Sequence, residues 1–503
     1  MISGVVSQIE NIDDLDTAKQ FLRLFEKENE RLHAKIAKLV TEVAELRGQN
    51  AAEQIAIELA KLQEQLANLQ RKTFGSSSER RSDHDAKPEH TPEKKPQTGH
   101  GPRKQQLPQQ TVLRQLAEED RKCPACGDQL HEMSGVTEDS ELITVVQRQF
   151  VLQTIKRQKY RCRCHIGVHT APAPTKPIEG GRYSLEFAVD VAVSKYADHL
   201  PLERQRRIMA REGLVVDTQT LWDQLDALAE HLRPTYDAIR EYVLSADLIG
   251  ADETWWRLMD TASSKKWWAW GITTHDAVWY GIDPSRSSGA AKKALGDFAG
   301  IVMCDGYSAY DTVASAGTGI RLAHCWAHAR RKFIEAQVAY PAQAKVALDF
   351  IDELFRIERE LDDPEPLDGD DRERALEARR RIRVERSKPV LDQLRAWALE
   401  QMALPRSGLR KAIEYMLNYW NGLTAFVEQP LVPLDNNRTE RALRGMVIGR
   451  KNHYGSRSRR GTEVAAILYT LIETAKLRDV DPRAYLLRAA DIAIEHPGTI
   501  TLP

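Results

Sequence analysis

Three acidic residues, Asp252, Asp305 and Glu440, stand in sequence settings that could bring their carboxylates together. Asp252 lies within a strand-like run, Asp305 ends a buried-strand run, and Glu440 lies just over one turn into a helix that Asp435 can cap. Three converging carboxylates repel one another unless cations neutralise them. Two Mg²⁺ ions about 3.5–4 Å apart would do so, activating water or a 3′-hydroxyl as nucleophile and stabilising the leaving oxygen in phosphodiester chemistry.

The elements around the first two acids follow the order three strands, helix, strand, helix, strand, helix. This is the order of a ribonuclease-H-like fold, and many α/β folds share it in part. In a ribonuclease-H-like sheet the strands of Asp252 and Asp305 are neighbours, so both carboxylates would emerge side by side. The predicted strands are Asp247–Thr254, Lys266–Thr273, Ala277–Ile282, Gly300–Asp305 and Ile320–His324, and the predicted helices are Ser287–Phe298, Ser308–Ala314 and one from Trp326.

The second and third acids are separated by far more chain than a minimal core needs. Residues 335–430 carry apolar side chains at helical spacings, among them Leu348, Ile351 and Phe355. The sequence therefore predicts a helical insertion at 335–430, between a first part of the core at 245–334 and a second part at 431–503 that carries the Glu440 helix and C-terminal helices.

Basic side chains cluster around and after Glu440, which is the only acid among them. Three glycines, Gly449, Gly455 and Gly461, allow close backbone approach there, and phosphate binding beside the metal ions is the functional interpretation. A solvated basic face is the alternative. The candidate DNA-binding residues are Arg438, Arg441, Arg444, Arg450, Lys451, Arg457, Arg459 and Arg460.

Two further groups have a structural and a functional interpretation. Cys325 and His328 form a Cys-x-x-His pair on a helix, for which packing against the sheet is expected and metal binding is the alternative. Most of the tryptophans between Trp255 and Trp270 are expected in the core, and one or two could stack on unpaired bases.

Two close cysteine pairs predict a small zinc domain over residues 111–170. Cys123 and Cys126 form a Cys-x-x-Cys-Gly knuckle, and Cys162 and Cys164 follow after two strand-like runs, Leu142–Leu152 and Gln153–Arg161, read as a basic hairpin. These are the parts of a zinc ribbon with one structural Zn²⁺. Because the Cys-x-Cys pair is less usual, His165 or His169 could replace one thiolate, and four thiols without metal are the alternative.

The chain before this domain predicts a coiled coil and a linker. Residues 1–72 carry two apolar seams that are out of phase near Gly48, Phe25–Leu46 and Ile55–Leu69, with Asn29 on the first. We expect this segment to join chains into a homo-oligomer; an antiparallel hairpin within one chain is the alternative. Residues 73–110 are polar and rich in proline, as expected of a flexible linker.

Residues 171–244 are helical in pattern and contain a possible helix-turn-helix. A break at Gly213 separates two predicted helices, Leu202–Arg211 and Asp217–Leu228, and the first of them carries several arginines. Two helices joined by a glycine turn are common in any α-domain. DNA recognition by these helices is therefore one interpretation, and an ordinary helical pair is the other.

The composition sets the class of protein. The 503 residues hold 72 Lys and Arg against 73 Asp and Glu, so a DNA-binding protein of this kind must concentrate its positive charge locally. The first residues lack the basic and apolar regions of a signal peptide, and no apolar run is long enough to span a bilayer. We therefore expect no membrane association and a cytoplasmic, nucleoid-associated location.

Several blocks of the chain resemble the signature blocks of insertion sequence sixty-six transposases. They are Ala251–Thr254, Cys304–Tyr307, His324–Phe333, Asn436–Arg444 and Gly449–Asn452, preceded by Phe74–Glu79 and the Cys-x-x-Cys domain and followed by Leu471–Lys476. The resemblance covers nearly the whole chain. Relatives commonly have proline where Gly445 stands and a longer apolar stretch where His453–Ser456 stands, so the local backbone path departs from the pattern.

The resemblance implies a DDE transposase that cleaves the ends of a mobile element and joins them to target DNA. It carries the catalytic triad onto Asp252, Asp305 and Glu440, and it names small accessory proteins of the same element as candidate partners. Two other functions stay open: a ribonuclease-H-like nuclease that cuts DNA without joining it, and a transposase-derived DNA-binding regulator. The intact acids speak against the regulator.

Overall fold

The computed structural model describes residues 168–259 and 265–503, and before them residues 111, 113, 115–116, 121–122, 124–131, 140 and 148–161. The predicted coiled coil at 1–72 and linker at 73–110 lie outside the described residues, as do Cys123, Cys162, Cys164 and His165.

A five-stranded mixed sheet forms the centre of residues 150–503. Its strands are β3 (Leu248–Leu258), β4 (Lys265–Thr273), β5 (Val278–Asp283), β6 (Ile301–Cys304) and β7 (Arg321–His324), in the spatial order β5-β4-β3-β6-β7. The three-strand meander β3-β4-β5 is antiparallel, whereas β6 and β7 run parallel to β3. The five predicted strands are therefore confirmed, and the strands that carry Asp252 and precede Asp305 are neighbours.

Helices cover the sheet and fill the chain between the second and third acids. They are α1 (Leu185–Tyr196), α2 (Leu202–Arg211), α3 (Thr218–Leu244), α4 (Ser288–Leu295), α5 (Ser308–Ser315), α6 (Trp326–Ala336), α7 (Pro341–Glu358), α8 (Gly369–Ile382), a π-helical turn (Arg383–Ser387), α9 (Lys388–Glu400), α10 (Gly408–Asn418), α11 (Trp420–Glu428), α12 (Asn437–His453), α13 (Arg459–Leu477) and α14 (Pro482–Glu495). The helical pattern predicted for 335–430 is confirmed by α7 to α11.

The strand β6 shows how the sheet is buried on both faces. Val302 and Cys304 belong to one apolar core, built with α1, α3, α13 and α14. Ile301 and Met303 belong to a second core with the helices α6, α7, α9, α10 and α11. Successive side chains of a strand point to opposite faces, so a strand buried on both sides reads as a continuous apolar run. This explains why the run before Asp305 has no polar residue.

One buried arginine ties the helices of the second core to the chain that leads into α12. Arg383 is completely buried; it forms an ion pair with Glu358 and donates hydrogen bonds to the carbonyl oxygens of Phe426 (2.8 Å), Pro430 (3.1 Å) and Val432 (3.0 Å). Burial lowers the pKa of Arg383, and the hydrogen bond with Glu358 acts against that shift. Because unpaired buried charge is costly, these contacts fix the path of residues 430–432.

The strands near the predicted zinc domain differ from the expected hairpin. Residues 148–158 carry no strand, and β1 (Lys159–Arg161) pairs antiparallel with β2 (Val168–Thr170) instead of with the run before it. Residues 148–158 are largely exposed, and so are β1 and β2 themselves, so burial does not distinguish the paired strands from the run before them. In the separate unit before residue 150, a bridge between Lys122 and Gln129 encloses the exposed Cys126.

The two helices of the possible helix-turn-helix are observed at their predicted starts. Gly213 between them has φ +91°, and the Asp217 carboxylate accepts a hydrogen bond from the Thr220 N–H (2.6 Å), as an N-cap does. The second helix, α3, is much longer than predicted, and its apolar face lies in the first core. No helix among the described residues is long and apolar enough to cross a membrane.

Gly250 yields a test of how tightly α12 packs on β3. A Cβ atom at this position would lie 2.1 Å from Thr439 Oγ1 and 2.7 Å from Thr273 Oγ1, and neither hydroxyl can move freely because each is buried. We expect Gly250→Ala to lower the free energy of unfolding by about 1–3 kcal/mol, measured by chemical denaturation. In the control Gly289→Ala, at an exposed helix position whose nearest contact is 3.6 Å, stability should stay equal or rise. Unchanged stability in Gly250→Ala would contradict the close packing.

Candidate active site

Asp252 and Asp305 lie on one face of the sheet and at the same level. In the parallel pairing of β3 with β6, Gly250 stands opposite Met303, and each aspartate follows two residues later. Because side chains alternate along a strand, the two carboxylates point to the side of the sheet that carries Met303. Both residues are half-buried.

Glu440 lies near the two aspartates because the start of α12 is bound to the sheet. The Asn436 side chain donates to the carbonyl oxygen of Ala251 (3.0 Å), and Thr439 Oγ1 donates to Asn436 Oδ1 (2.7 Å). Thr439 and Thr273 share a further buried hydrogen bond of 2.7 Å. These buried polar contacts place the first turn of α12, and with it Glu440, beside the strand of Asp252.

The chain just before α12 is held by the start of α6. The Asn436 N–H donates to Cys325 Sγ (3.2 Å), and the Trp326 N–H donates to the carbonyl oxygen of Leu434 (2.9 Å). Asp435, predicted as the helix cap, accepts a hydrogen bond from the N–H of Asn437, the first helical residue (3.0 Å). The third acid is therefore fixed by contacts to both β3 and α6.

The electrostatic environment of Asp252 shows that the acids act on one another. Burial raises the pKa of Asp252 to about 8, with further contributions from the nearby carboxylates of Glu253, Asp305 and Glu440. A hydrogen bond from the Glu253 N–H to Asp252 Oδ1 (2.8 Å) acts in the opposite direction. A carboxyl that is costly to ionise alone, next to two others, is the environment that divalent cations stabilise, and its oxygen ligands are those that Mg²⁺ prefers.

Glu253, next to Asp252, has a different role because it points to the other face of the strand. It is buried, receives two hydrogen bonds from Arg286 (2.8 and 2.6 Å) and accepts one from the Tyr310 hydroxyl (2.9 Å). Burial raises the pKa of Glu253, and Arg286 and Tyr310 limit the increase. The Arg286 guanidinium also lies over the ring of Tyr307, 3.9 Å from its centre. This network links β3 to the loop after Asp305.

His328 was not predicted at the site, yet it lies beside the third acid. Its Nε2 atom is 3.8 Å from Glu440 Oε1, and Cys325, completely buried at the N-cap of α6, lies with them in a group whose ligand atoms are all within 4.8 Å of one another. The expected packing of Cys325 against the sheet is observed. The proximity of His328 to Glu440 could not be predicted from local sequence, because the two residues are more than 100 positions apart in the chain.

The eight candidate DNA-binding residues divide into two groups. Arg438 pairs with Glu365, Arg460 pairs with Asp226, Glu230 and Glu463, and Arg450 is buried against Thr254 and Trp255. The other five are exposed and have no ion-pair partner within the described part of the chain: Arg441, Arg444, Lys451, Arg457 and Arg459. At about 100° per residue, Arg441, Arg444 and Lys451 share one face of α12 with Glu440.

The tryptophans are mostly core residues, as predicted. Trp256 and Trp270 are buried, Trp267 and Trp268 are partly buried against the first core, and Trp255 is 36 % exposed beneath the Arg450 guanidinium. Glu463, the next acid after Glu440 along the chain, is ion-paired with Arg460 on α13.

Sequence reasoning missed the residues that position the acids. Gly250, Asn436 and Thr439 carry no chemistry of their own, and only their packing reveals what they do. A glycine inside a strand pattern is a known sign of close backbone approach, so Gly250 carried a usable signal. Asn436 and Thr439 stand within the block around Glu440, but their buried partners lie on β3 and β4.

Comparison with known proteins gives one family match and several similar proteins. The profile described as "Transposase IS66 family" matches residues 180–464, which contain all three acids. Three uncharacterized proteins of Sinorhizobium fredii are similar to the chain. The protein y4jD is 33% identical over 414 residues, covering 78% of each chain. The protein y4hP is 31% identical, covering 77% of this chain and 73% of its own. The protein y4qI is 30% identical over 94% of this chain and 93% of its own.

The raised pKa of Asp252 predicts how stability depends on pH without bound divalent ions. Between pH 3.8 and about 8 the folded protein keeps a proton that the unfolded chain releases, so this group lowers stability as pH rises through that window. Asparagine cannot ionise. We therefore expect Asp252→Asn to raise the melting temperature in Mg²⁺-free buffer at about pH 8–9 and to have little effect at about pH 4.

Asp276 provides the contrast for this measurement. Burial raises the pKa of Asp276. Hydrogen bonds from Tyr242 and Thr274 and the charges of His275 and Arg478 lower it by a larger amount, so the net shift is downward. Asp276→Asn should therefore destabilise the protein at neutral pH. A melting temperature of Asp252→Asn that does not gain on the parent as pH rises would contradict the electrostatic account.

Proposed function

Because the chain belongs to the IS66 transposase family, we propose that it is a DDE transposase that cleaves the ends of a mobile element and joins them to target DNA. The supporting observation is the geometry of the acids: Asp252 and Asp305 share one level of neighbouring parallel strands, and Glu440 is near enough to contribute to the raised pKa of Asp252. The strand order and directions of the sheet support a ribonuclease-H-like core.

In this proposal Asp252, Asp305 and Glu440 hold two Mg²⁺ ions. When bound, such a pair activates water or a 3′-hydroxyl and stabilises the leaving oxygen of a phosphodiester. The chain's own contribution is placement, since the start of α12 is bound to β3 through Asn436 and Thr439. Because all three acids are only half-buried, a DNA strand can approach them.

The exposed basic side chains extend this site along α12. Arg441, Arg444 and Lys451, called here the α12 basic face, lie on the side of the helix that carries Glu440. Arg457 and Arg459 follow directly. Exposed arginine and lysine side chains contact the phosphate backbone and position DNA without reading its sequence. We assign phosphate binding to these five residues, whereas Arg438, Arg450 and Arg460 stabilise the fold through their protein partners.

The segments before the catalytic core complete the proposal. Residues 1–72 pair two chains, which suits a reaction in which two element ends are cut in one complex. Cys123, Cys126, Cys162 and Cys164 hold one structural Zn²⁺, with His165 or His169 as a substitute ligand, and the domain over 111–170 with the helices of 171–244 recognises the ends. Accessory proteins of the same element are further partners, and a DNA substrate places the reaction at the nucleoid.

The role of the acids is tested with purified chain, labelled element ends, target DNA and Mg²⁺. We expect Asp252→Asn, Asp305→Asn and Glu440→Gln each to lower cleavage and joining roughly a thousandfold or more, because metal-ion stabilisation is worth several kcal/mol. Double variants should be little worse than single ones, since the cluster acts as a unit. DNA binding should persist in all of them.

Glu463→Gln is the matched control, because Glu463 is an acid on α13 that pairs with Arg460; it should keep its activity. Near-normal cleavage by Glu440→Gln would move the third acid elsewhere. Cleavage without joined product in the parent would instead identify a nuclease.

The α12 basic face predicts the salt dependence of DNA binding. Each phosphate contact removed should reduce the slope of log K against log salt by roughly 0.9, as counterion release requires. We expect this change for Arg444→Ala and for Lys451→Ala, measured by fluorescence anisotropy of a labelled duplex over a range of salt concentrations. The control is Arg410→Ala, which removes an exposed arginine paired with Glu414 on α10. An equal slope for all three variants and the parent would exclude α12 from the DNA interface.

A further inference from the structure

Three side chains of different chemistry meet where α6 and α12 begin. Cys325 is the N-cap of α6, His328 lies in its first turn, and Glu440 lies in the first turn of α12. One sulfur, one ring nitrogen and one carboxylate oxygen from these residues are all within 4.8 Å of one another. The pair from α6 follows from its sequence spacing, whereas the third ligand depends on the packing of α12.

We propose that Cys325, His328 and Glu440 form a binding site for a zinc-class divalent cation, separate in its ligand chemistry from the site for Mg²⁺. Thiolate and imidazole ligands select zinc-class ions, whereas Mg²⁺ is bound through oxygen. Bonds of about 2.0–2.3 Å in a tetrahedral site place the ligand atoms roughly 3.3–3.8 Å apart. For a nitrogen and an oxygen ligand the spacing is roughly 3.3–3.5 Å, so the His328 Nε2 to Glu440 Oε1 distance of 3.8 Å would have to shorten by a few tenths of an ångström on metal binding.

The surroundings of the sulfur suit a metal-bound thiolate. Cys325 Sγ accepts a hydrogen bond from the Asn436 N–H at 3.2 Å, and its position at the start of a helix favours negative charge. Without a cation, burial raises the pKa of the Cys325 thiol to about 12, while backbone N–H groups of Asn436 and His328 act against this increase. A bound cation would supply the positive charge that a buried thiolate lacks.

The imidazole of His328 is free to act as a ligand. Its Nδ1 atom is buried and has no hydrogen-bond partner among the described residues. Its Nε2 atom faces Glu440 at 3.8 Å, which is longer than a hydrogen bond. A half-buried histidine with neither nitrogen engaged, next to a buried thiol and a carboxylate, has the ligand set of a three-residue site with one open position.

Glu440 belongs both to the proposed Mg²⁺ ligands and to the proposed zinc-class ligands, so the two sites share one carboxylate. A zinc-class ion held by Cys325 and His328 competes with Mg²⁺ for the Glu440 carboxylate. This consequence rests on the proposed function, whereas the site itself does not, because metal binding can be measured without DNA.

The test counts metal on the full-length chain and uses Co²⁺ as a spectroscopic probe for zinc. Cobalt bound to thiolate gives a sulfur-to-metal charge-transfer absorption, which cobalt bound by oxygen alone lacks. We expect Cys325→Ser and His328→Gln each to lose one equivalent of metal per chain relative to the parent, and Cys325→Ser to lose the part of the absorption that this sulfur contributes. Glu440→Gln should weaken binding by at least tenfold.

Two cysteine variants serve as controls. Cys304→Ala removes another buried cysteine, outside the group, and should keep the full metal content. Cys126→Ser perturbs the zinc domain and should keep the absorption that depends on Cys325. If Cys325→Ser fails to fold, His328→Gln, at a position 23% exposed, gives the same answer independently.

Unchanged metal content and unchanged cobalt absorption in both Cys325→Ser and His328→Gln would overturn the proposal. Failure of the proposed transposase function would be seen separately, as absent cleavage and joining of element ends in Mg²⁺. Conversely, Asp305→Asn should abolish cleavage and leave the cobalt absorption unchanged.

Discussion

Mutual repulsion among buried or half-buried carboxylates is the constraint on which this structure depends. Asp252 sits where burial and three neighbouring acids all oppose its ionisation, and its pKa rises to about 8. Such an arrangement lowers stability, so the surrounding fold must hold the acids in place against it. Glu253, in contrast, is paired with the Arg286 guanidinium and accepts a hydrogen bond from the Tyr310 hydroxyl. Within the described part of the chain, no arginine is paired with Asp252 or Glu440, which leaves their charge available to cations.

The fold meets this constraint by fixing the three acids through different kinds of contact. The parallel register of β3 and β6 places Asp252 and Asp305. Packing at Gly250 and the buried hydrogen bonds of Asn436 and Thr439 place Glu440. The helices between the second and third acids contribute as well, since Arg383 binds the carbonyl oxygens of residues 430 and 432, just before the segment that enters α12. The helical insertion between the second and third acids therefore helps to set the position of the third acid.

Local pattern was sufficient to predict the sheet and the placement of two acids, because alternation and apolar runs report burial directly. The strand bounds agree with the structure to within a few residues, apart from β3, which continues to Leu258. Where the prediction failed, the missing information was non-local. The partner of β1 proved to be β2. The basic residues Arg438, Arg450 and Arg460, whose role in DNA binding stays a prediction, contact acids or carbonyl groups far away in the chain. Charge counted along a sequence cannot distinguish an arginine that faces solvent from one that is already paired.

The start of α6 helps to position the third acid through hydrogen bonds as well as through apolar packing. Cys325 accepts the N–H of Asn436 and Trp326 donates to Leu434, so α6 and the entry to α12 form one hydrogen-bonded corner. Asn436 then donates to the carbonyl oxygen of Ala251, the residue before Asp252. The start of α6 is therefore connected to the segments that carry the first and third acids through two buried hydrogen bonds. Because protein interiors are close-packed, a displacement of this corner would be transmitted to the first turn of α12, which carries Glu440.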